Sequence, residues 1–356
     1  MDVWSAESGC AVGNGANVST VVVNGGDSPL GRHVADLART DPDVTAVVDP
    51  TALRPGGVGT DGPVDVILLA PTPGPDRDGS TVGGVDLAGA GRLLDRLDGL
   101  PVRSVVVLSS AMVYGAWSDN PVPLTEDAVL RPNPTCRFAA DKAELERLVV
   151  EWAGARVDGG STATSVARLR PTLTLSHEPG SVEWMEASLW HTPTARHGEA
   201  DPPAQFLHID DLARAIEHAR RERLDGAFNV APDGWVASDR QLELTGKVRR
   251  VRVPSRLAGR VAGLRWRLRL TSTPPEVVPY LLHPWVVAND RLRGTGWAAN
   301  WSNDEVFVAA NRPGWWSSLT ARRRQDVALG ALVAGLVVAG GVVAAVARRA
   351  RTVEGP

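Results

Sequence analysis

Short apolar runs alternate with longer segments of helical spacing through the first half of the chain. The runs are rich in valine, isoleucine and leucine and only a few residues long, which is typical of buried strands. They cover residues 20–24, 45–48, 64–70, 102–109 and 165–169. Apolar residues recur every three or four positions after Gly31 and within 86–97 and 141–152, which predicts helices between the strands. This alternation predicts right-handed βαβ units and a doubly wound parallel sheet, an α/β fold.

The alternation loosens from Pro171 onward, where proline, tryptophan and polar residues become more frequent. We therefore divide the folded part into a core at 19–175 and a small substrate-side region at 176–310 that also completes the sheet. Residues 1–18 contain acidic residues, glycines and asparagines but no basic and apolar segments of a signal peptide. They are predicted to be a flexible leader.

Composition narrows the classes of function. The formal net charge of −3 gives no general attraction to nucleic acid. Cys10 and Cys136 are far apart and the seven histidines are scattered, so neither a disulfide framework nor a metal site is predicted. Only two of the 38 basic residues are lysines, Lys142 and Lys247. Because lysine is so rare in this chain, each is expected to have a specific role.

A glycine turn follows the first predicted strand and opens the first predicted helix. In such a turn, backbone N–H groups at the helix N-terminus can bind a pyrophosphate. The turn residues predicted to contact a dinucleotide are Gly25, Ser28, Pro29, Leu30 and Gly31. Asp49 ends the next strand, 18 residues after Gly31, where an acid accepts a hydrogen bond from a ribose hydroxyl. Because an acid repels a 2′-phosphate, the predicted cofactor is NAD rather than NADP.

One segment near the C-terminus is far more apolar than the rest of the chain. Residues 327–347 are 21 consecutive positions without a charge, a proline or a polar side chain. At about 1.5 Å per residue, a helix of this length crosses the roughly 30 Å hydrocarbon core of a bilayer. A buried core helix is the alternative, but such helices are seldom so long and so apolar. The sequence predicts a transmembrane helix, joined to the folded part by a linker at 311–326.

Arginines flank this segment on both sides, at 322–324 and in the 348–356 tail. Because the two clusters balance, the positive-inside rule does not decide the orientation. The predicted nucleotide-binding core and the lack of a signal peptide favour the cytoplasmic side. We expect a single-pass protein of the cell membrane, in contact with the lipid bilayer, whose main domain is cytoplasmic.

Further segments extend the dinucleotide-binding pattern to a known family. They are the turn at 24–31, the serine-containing loop at 108–115, the T-E-D…R-P stretch at 124–132, Arg170-Pro171, and the stretches at 206–213, 226–230 and 293–297. Their order resembles that of the extended short-chain dehydrogenases/reductases, the NAD-dependent epimerase/dehydratase family. The resemblance implies a Rossmann fold over about residues 18–310 and NAD as cofactor. It also implies a nucleotide sugar or a lipid-linked sugar as ligand, and a homodimer as a common assembly.

In that family a tyrosine exchanges a proton with the substrate, a lysine four residues later assists it, and a serine or threonine orients the substrate. The resemblance places the serine at Ser110 and the lysine at Lys142, which would also hold the nicotinamide ribose. Ala70, after the third strand, and Pro171 are implied to contact the cofactor. The tyrosine position is Phe138, whose ring has no exchangeable proton. Capping of a strand end is the alternative role of Ser110.

Two other departures from the family pattern affect the cofactor. Ser28 stands where the family's turn has its middle glycine, and its Cβ is expected to crowd the pyrophosphate. Only 15 residues separate Asp49 from Asp65, too few for the usual helix, strand and adenine-contacting acid. We therefore expect a reduced adenine pocket and weak NAD binding.

An arginine-rich segment has no counterpart in the cofactor pattern. Residues 249–269 contain eight arginines, and Leu257, Val261, Leu264 and Leu268 follow helical spacing among them. The segment fits an amphipathic helix on an anionic membrane surface, or arginines that bind the diphosphate of a nucleotide sugar. It fits equally a solvated face over a packed stripe, and the residues alone leave all three open.

Two functions of different class are consistent with the sequence. The first is a membrane-anchored NAD-dependent enzyme that acts on a nucleotide sugar or related sugar, with another group replacing the tyrosine. The second is a catalytically silent, membrane-tethered nucleotide-binding or scaffold protein. The family resemblance favours the first function, and Phe138 favours the second.

Overall fold

The structure is a computed structural model of the chain. It describes residues 18–53, 62–71, 84–161, 163–176, 189, 195–197, 202–245, 251–268, 270 and 273–310. The predicted leader, except residue 18, and the predicted linker, membrane span and tail at 311–356 lie outside the described residues. Their assignments stay predictions.

The described strands are β1 (Ser19–Asn24), β2 (Val44–Val48), β3 (Val64–Leu68), β4 (Val102–Leu108), β5 (Ser165–Pro171), β6 (Leu173–Leu175), β7 (Ala195–His197), β8 (Phe206–His208), β9 (Gly226–Val230) and β10 (Val251–Val253). Six of them form one sheet in the order β2-β1-β3-β4-β5-β9, and every pairing in it is parallel. Two further two-stranded parallel sheets pair β6 with β8 and β7 with β10. The predicted parallel α/β sheet is confirmed.

The described helices are α1 (Pro29–Arg39), α2 (Leu87–Leu97), α3 (Arg137–Asp158), α4 (Ile209–Arg221), α5 (Ser238–Thr245), α6 (Ser255–Arg267), α7 (Val278–Leu282), α8 (Asp290–Arg293) and α9 (Asn303–Ala310). Short 3-10 helices cover Pro50–Ala52, Ala111–Tyr114 and Pro275–Val277. Helix α3 begins four residues before its predicted start and continues six beyond its predicted end. It therefore carries both Phe138 and Lys142, one helical turn apart.

Helices cover both faces of the large sheet. On β1, Val21 and Val23 pack in the same cluster as Val34 of α1 and Ile216 of α4, whereas Val22 belongs to the cluster that contains residues of α2 and α3. This alternation follows from the strand geometry, in which successive side chains point to opposite faces. The sheet is therefore doubly wound, and its two cores lie between the strands and the two helix layers.

The chain reverses direction across the sheet next to β1. Strand β2 lies at the edge of the sheet, on one side of β1, and β3 lies on the other side. In open parallel α/β sheets, ligands bind at the carboxyl ends of the strands beside such a switch point. A cofactor is therefore expected to bind beside the turn after β1, at the ends of β2, β3 and β4.

An ionic network closes the opposite, amino edge of the sheet. Asp65, fully buried at the start of β3, accepts hydrogen bonds from Arg103 at 2.7 and 2.8 Å and from Ser104 at 2.7 Å. Ser19 and Arg220 also donate to it, at 2.9 and 3.0 Å. Burial alone would raise the pKa of Asp65, but the bonds from Arg103 and Ser104 outweigh it and lower the pKa below its usual value. This network joins β1, β3, β4 and α4.

In the part of the chain that the structure describes, no helix is long and apolar enough to cross a bilayer. The predicted span at 327–347 lies outside that part of the chain.

Candidate functional site

The glycine turn after β1 is closely packed, as a dinucleotide-binding turn requires. Gly25 has a φ of +82°, a conformation that side chains disfavour, and a Cβ there would lie 2.9 Å from Pro71 Cδ. A Cβ on Gly31 would lie 2.1 Å from the carbonyl oxygen of Gly25. Both positions therefore need glycine, and the start of α1 sits directly against the turn.

Ser28 caps α1 rather than leaving its N-terminus open. Its hydroxyl accepts from Gly31 N–H at 3.0 Å and donates to Gly25 O at 2.7 Å. Pro29 is the first helical residue and has no N–H to offer. Within the described residues, Leu30 is left as the first-turn position whose N–H has no acceptor. The turn has the predicted shape, but fewer free donors than an uncapped helix N-terminus.

Asp49 and Ala70 lie where the sequence placed them, at the ends of neighbouring segments beside the turn. Asp49 follows β2, and its Oδ1 accepts from Thr51 N–H at 2.8 Å. Ala70 follows β3 with a φ of +44°, unusual for a residue other than glycine. Its N–H donates to Asn24 Oδ1 at 3.2 Å, which ties the end of β3 to the end of β1. Backbone strain of this kind concentrates at functional sites.

Lys142 is buried, and its ammonium group joins the ends of two strands. Nζ donates to Leu108 O at 2.9 Å and to Leu69 O and Ala70 O at 3.3 Å each. Phe138, one turn earlier on α3, is also buried, with its ring centroid 5.7 Å from Nζ. The structure therefore brings together Lys142, Phe138 and Ala70. In this arrangement Lys142 links the ends of β3 and β4 through hydrogen bonds to backbone carbonyl groups.

Ser110 lies directly after β4, and its contact is with the helix that follows rather than with the end of the strand. Its hydroxyl accepts from Met112 N–H at 3.2 Å and caps the 3-10 helix Ala111–Tyr114. Pro171, at the end of β5, is buried and pairs with Val230 of β9. Ser110 therefore shares the carboxyl edge of the sheet with the other predicted site residues.

A buried polar network at this edge was missed from the sequence. Glu146, one turn beyond Lys142 on α3, forms an ion pair with Arg170, with contacts of 2.6 and 2.9 Å. Ser109 donates to the same carboxylate at 2.5 Å. The available signal was the spacing of Lys142 and Glu146 by four residues, which places both on one face of α3. The network fixes α3 against β4 and β5 and so fixes the positions of Phe138 and Lys142.

Both tyrosines of the chain lie close to these residues, and both are buried. Tyr114 donates to Asn229 Oδ1 and accepts from Arg170, each at 2.8 Å. Tyr280 donates to Met112 O at 2.8 Å. Burial raises the pKa of Tyr114, although Arg170 opposes the shift, and burial also raises the pKa of Tyr280. Both hydroxyls are therefore engaged in hydrogen bonds within the core.

A cavity of about 420 Å³ opens between the C-terminal parts of α1 and α4. Its lining includes Asp41, Arg214, His218 and Trp297. It does not include any residue of the predicted cofactor or catalytic set. The cavity lies by the ends of α1 and α4, away from the glycine turn at the start of α1.

Comparison with known proteins places these residues in a family context. Residues 61–231 match the NAD dependent epimerase/dehydratase family. The matched part contains Ser110, Phe138 and Lys142 and runs from just before β3 to just after β9. The glycine turn and Asp49 precede it, so their assignment rests on the structure and the sequence pattern.

Curated relatives extend the likeness but carry no assigned activity. Over 207 residues the chain is 27% identical to uncharacterized proteins of Mycobacterium tuberculosis and Mycobacterium bovis. The alignment covers 58% of this chain and 53% of each relative. The chain thus spans about half the length of the curated relatives it matches.

Solved structures with the same fold include several nucleotide-sugar enzymes. UDP-glucose 4-epimerase of Thermus thermophilus, in complex with NAD, is 18% identical with a TM-score of 0.54, covering 82% of this chain and 97% of that one. RMD from Pseudomonas aeruginosa, complexed with NADPH, is 19% identical with a TM-score of 0.55, covering 82% and 98%. A Tyr-to-Phe mutant of UDP-glucuronic acid 4-epimerase from Bacillus cereus holds a fluorinated UDP-glucuronic acid and NAD. It is 12% identical with a TM-score of 0.55, covering 82% and 97%. At these identities the likeness establishes the fold.

The residues present fit the pyrophosphate of NAD and the ribose next to the adenine. The closely packed turn admits a pyrophosphate near Leu30 N–H, and Asp49 ends β2 where a ribose hydroxyl would donate. At the nicotinamide half, Lys142 would have to leave three carbonyl oxygens to reach a ribose. Among the described residues, no group of three or more His, Cys, Asp or Glu could hold a metal ion.

Proposed function

We propose that this chain is a membrane-anchored protein of the epimerase/dehydratase kind that binds NAD and a nucleotide sugar without tyrosine-dependent proton transfer. The observation that carries the proposal is the placement of the only two tyrosines in the sequence. Tyr114 and Tyr280 are both buried, and both hydroxyls are hydrogen-bonded within the core. A phenol exchanges a proton with a substrate only when it lies within hydrogen-bonding reach of it.

Phe138 takes the place of the family tyrosine in this proposal. It is four residues before Lys142 on α3, and its ring lies beside the Lys142 ammonium. A phenyl ring at this position keeps the packing of a tyrosine but offers no oxygen for proton transfer. The complex of the Bacillus cereus mutant supports this separation, because that protein holds NAD and a sugar nucleotide after a Tyr-to-Phe change.

NAD is the proposed cofactor, and Asp49 is the residue proposed to select it over NADP. When bound, NAD supplies a hydride acceptor. The chain supplies the closely packed turn and a carboxylate that repels a 2′-phosphate. The Ser28 side chain caps α1 by accepting from Gly31 N–H, and Pro29 has no N–H. Because few N–H groups are left for a pyrophosphate, we expect NAD binding to be weak.

The proposed second ligand is a nucleotide sugar, and its support comes from fold neighbours. The ligands in the complexes of those neighbours include UDP-glucose and UDP-glucuronic acid. Lipid-linked sugars remain part of the proposal through the anchor, since residues 327–347 would hold the site near a membrane. The folded part is proposed to face the cytoplasm, where its nucleotide ligands would be met.

An active enzyme with another general acid or base is the second candidate. The observation in its favour is that Ser110 and Lys142 keep the family order at the carboxyl edge of the sheet. Turnover of a nucleotide sugar by the unaltered protein would favour this candidate over the first.

Calorimetric titration of the full-length protein in detergent tests the proposal. We expect NAD to bind weakly, NADP to bind at least tenfold more weakly, and UDP-glucose to bind to the NAD complex. Failure of every dinucleotide to bind would overturn the ligand assignment. Carbonate extraction of membranes tests the anchor separately: the full chain should stay in the pellet, and a chain shortened to end at Thr320 should not. Identical behaviour of the two would overturn the anchor.

A further inference from the structure

Helix α6 presents leucines to solvent instead of to the core. Leu257 is 40% exposed, and Leu264 and Leu268, the latter directly after the helix, are each 58% exposed. Leu270 follows and is 64% exposed. Isolated exposed leucines are ordinary, but several on one short segment form an apolar patch that needs an explanation.

The exposed leucines share one side of α6. At about 100° per residue, positions 257, 264 and 268 fall within roughly 40° of one another around the helix axis. The packed side is made by Ala258 and Ala262, which contact Val278 and Leu282 of α7. The leucine stripe seen in the sequence is therefore the outer face of α6. The interpretation in which these leucines pack inward beneath a solvated arginine face is wrong.

Arginines border this leucine stripe on both sides. Arg260 and Arg267 lie about 60–80° to one side of it around the helix and Arg265 about 80° to the other. Arg260 and Arg267 are exposed and Arg265 is half-buried. Of the ion pairs in the described part of the chain, none joins these three arginines to a carboxylate. Leu257, Leu264 and Leu268 with Arg260, Arg265 and Arg267 are called the α6 face below.

We propose that the α6 face docks on an anionic lipid surface. Its leucines would enter the boundary between headgroups and acyl chains, while the arginines on either side reach lipid phosphates. Arginine suits this role because its guanidinium binds phosphate through two parallel hydrogen bonds. Arginines that bind one soluble diphosphate would instead converge on a cavity, and these point outward along a helix. The proposal rests on the membrane anchor proposed above.

The length of the chain after α9 supports a lipid surface as the occupant. Helix α9 ends at Ala310, and the predicted span begins at residue 327, so 16 residues lie between them. Such a segment reaches at most about 60 Å. A folded unit of some 300 residues has a radius of gyration of only about 20 Å. The segment is therefore long enough to let any face of the folded part meet the bilayer and short enough to keep it close. The chemistry of the faces then decides which one docks, and the α6 face is both apolar and cationic.

The test uses the full-length protein in lipid nanodiscs, with an environment-sensitive fluorophore on a cysteine at position 264. Leu264→Cys is made in a Cys10→Ser background, since Cys136 is buried. Val129→Cys, at a 77% exposed position away from α6, is the matched control. In discs that contain phosphatidylglycerol we expect a blue shift at position 264 only. In discs of phosphatidylcholine alone we expect a much smaller shift.

A charge variant separates lipid docking from other occupants. Arg260→Gln with Arg267→Gln should lower the ratio of docked to undocked protein about 30-fold in anionic discs, at about fivefold per arginine. Arg92→Gln with Arg96→Gln removes the same charge from exposed positions on α2 and should leave the ratio unchanged. Equal blue shifts in both lipid compositions, equal effects of the two charge variants, or a shift that needs only a second copy of the chain in detergent would overturn the proposal.

Failure of the anchor and failure of the docking face give different results. A chain that stays out of the discs overturns the anchor, and the same labelled protein mixed with phosphatidylglycerol vesicles then reports on the α6 face directly. A blue shift on those vesicles supports docking without the anchor. A chain that enters the discs without any shift at position 264 overturns docking and leaves the anchor standing.

Discussion

Replacing Ser28 with glycine is expected to tighten NAD binding about fivefold. The Ser28 hydroxyl occupies Gly31 N–H at 3.0 Å and holds Gly25 O at 2.7 Å. Its removal frees one more N–H at the start of α1 for a pyrophosphate oxygen. It also removes a Cβ from the turn, at the position where the resembled family has its middle glycine.

The expected magnitude follows from two opposing contributions. A hydrogen bond to a charged group is worth about 1.5–3 kcal/mol, and ordering the more flexible glycine turn around the ligand offsets about 1 kcal/mol of it. The net gain is about 1 kcal/mol, or about fivefold in Kd. Stability should fall by only a few tenths of a kcal/mol, because glycine is an acceptable residue before a helix.

Calorimetry of the full-length protein with NAD measures the gain, and urea unfolding measures the cost. Ser28→Ala is the matched control, since it frees Gly31 N–H but keeps the Cβ and loses about 1 kcal/mol of capping. An increase in affinity in both variants assigns the effect to the hydroxyl, and an increase in Ser28→Gly alone assigns it to the Cβ. Unchanged or weaker NAD binding in both variants would refute the reasoning.

Three further predictions concern the cofactor, the lysine and the amino edge of the sheet. Asp49→Asn should reduce the preference for NAD over NADP at least tenfold in the same titration, because it removes the charge that repels a 2′-phosphate; an unaltered ratio would place the selecting residue elsewhere. Lys142→Met should lower the free energy of unfolding by about 2 kcal/mol, since three carbonyl groups lose a charged donor; a neutral effect on stability would mean that the lysine serves a ligand rather than the strand ends. The lowered pKa of Asp65 stabilises the folded state above the usual Asp value of about 3.9, and this contribution should be lost as the pH falls through the lower folded value. Urea unfolding as a function of pH should therefore show a steep loss below about pH 4 that is weaker in Asp65→Asn, and identical profiles would contradict the role of Asp65.

The order of strands and helices could be predicted because strands buried on both faces leave continuous apolar runs, and the helices between them leave apolar residues every three or four positions. The predicted start of α3 is four residues too late, although Phe138, Ala139 and Lys142 follow the spacing of its buried face. Strand β2 is the edge strand of the large sheet. The reduced adenine pocket expected from the short connection after Asp49 stays a prediction.

The partners of the site residues were beyond sequence reasoning. Lys142 binds backbone carbonyl groups, and a carbonyl acceptor leaves no mark on the residue type that carries it. The outward side of α6 was also hidden, because periodicity shows that leucines share a face but not which face packs. Two alanines, Ala258 and Ala262, settle it by allowing close contact with α7.

The central claim is that this site binds its ligands without the proton transfer that a tyrosine would provide. The most direct measurement mixes the full-length protein with NAD and a panel of UDP-sugars and follows reduced nicotinamide by absorbance under single-turnover conditions. Phe138→Tyr, whose added oxygen is worth about 10²–10⁴-fold where general acid–base catalysis operates, serves as the comparison. The account predicts calorimetric binding of NAD to the unaltered protein without formation of reduced nicotinamide. Formation of reduced nicotinamide by the unaltered protein would contradict it, most clearly at a rate that Phe138→Tyr does not raise.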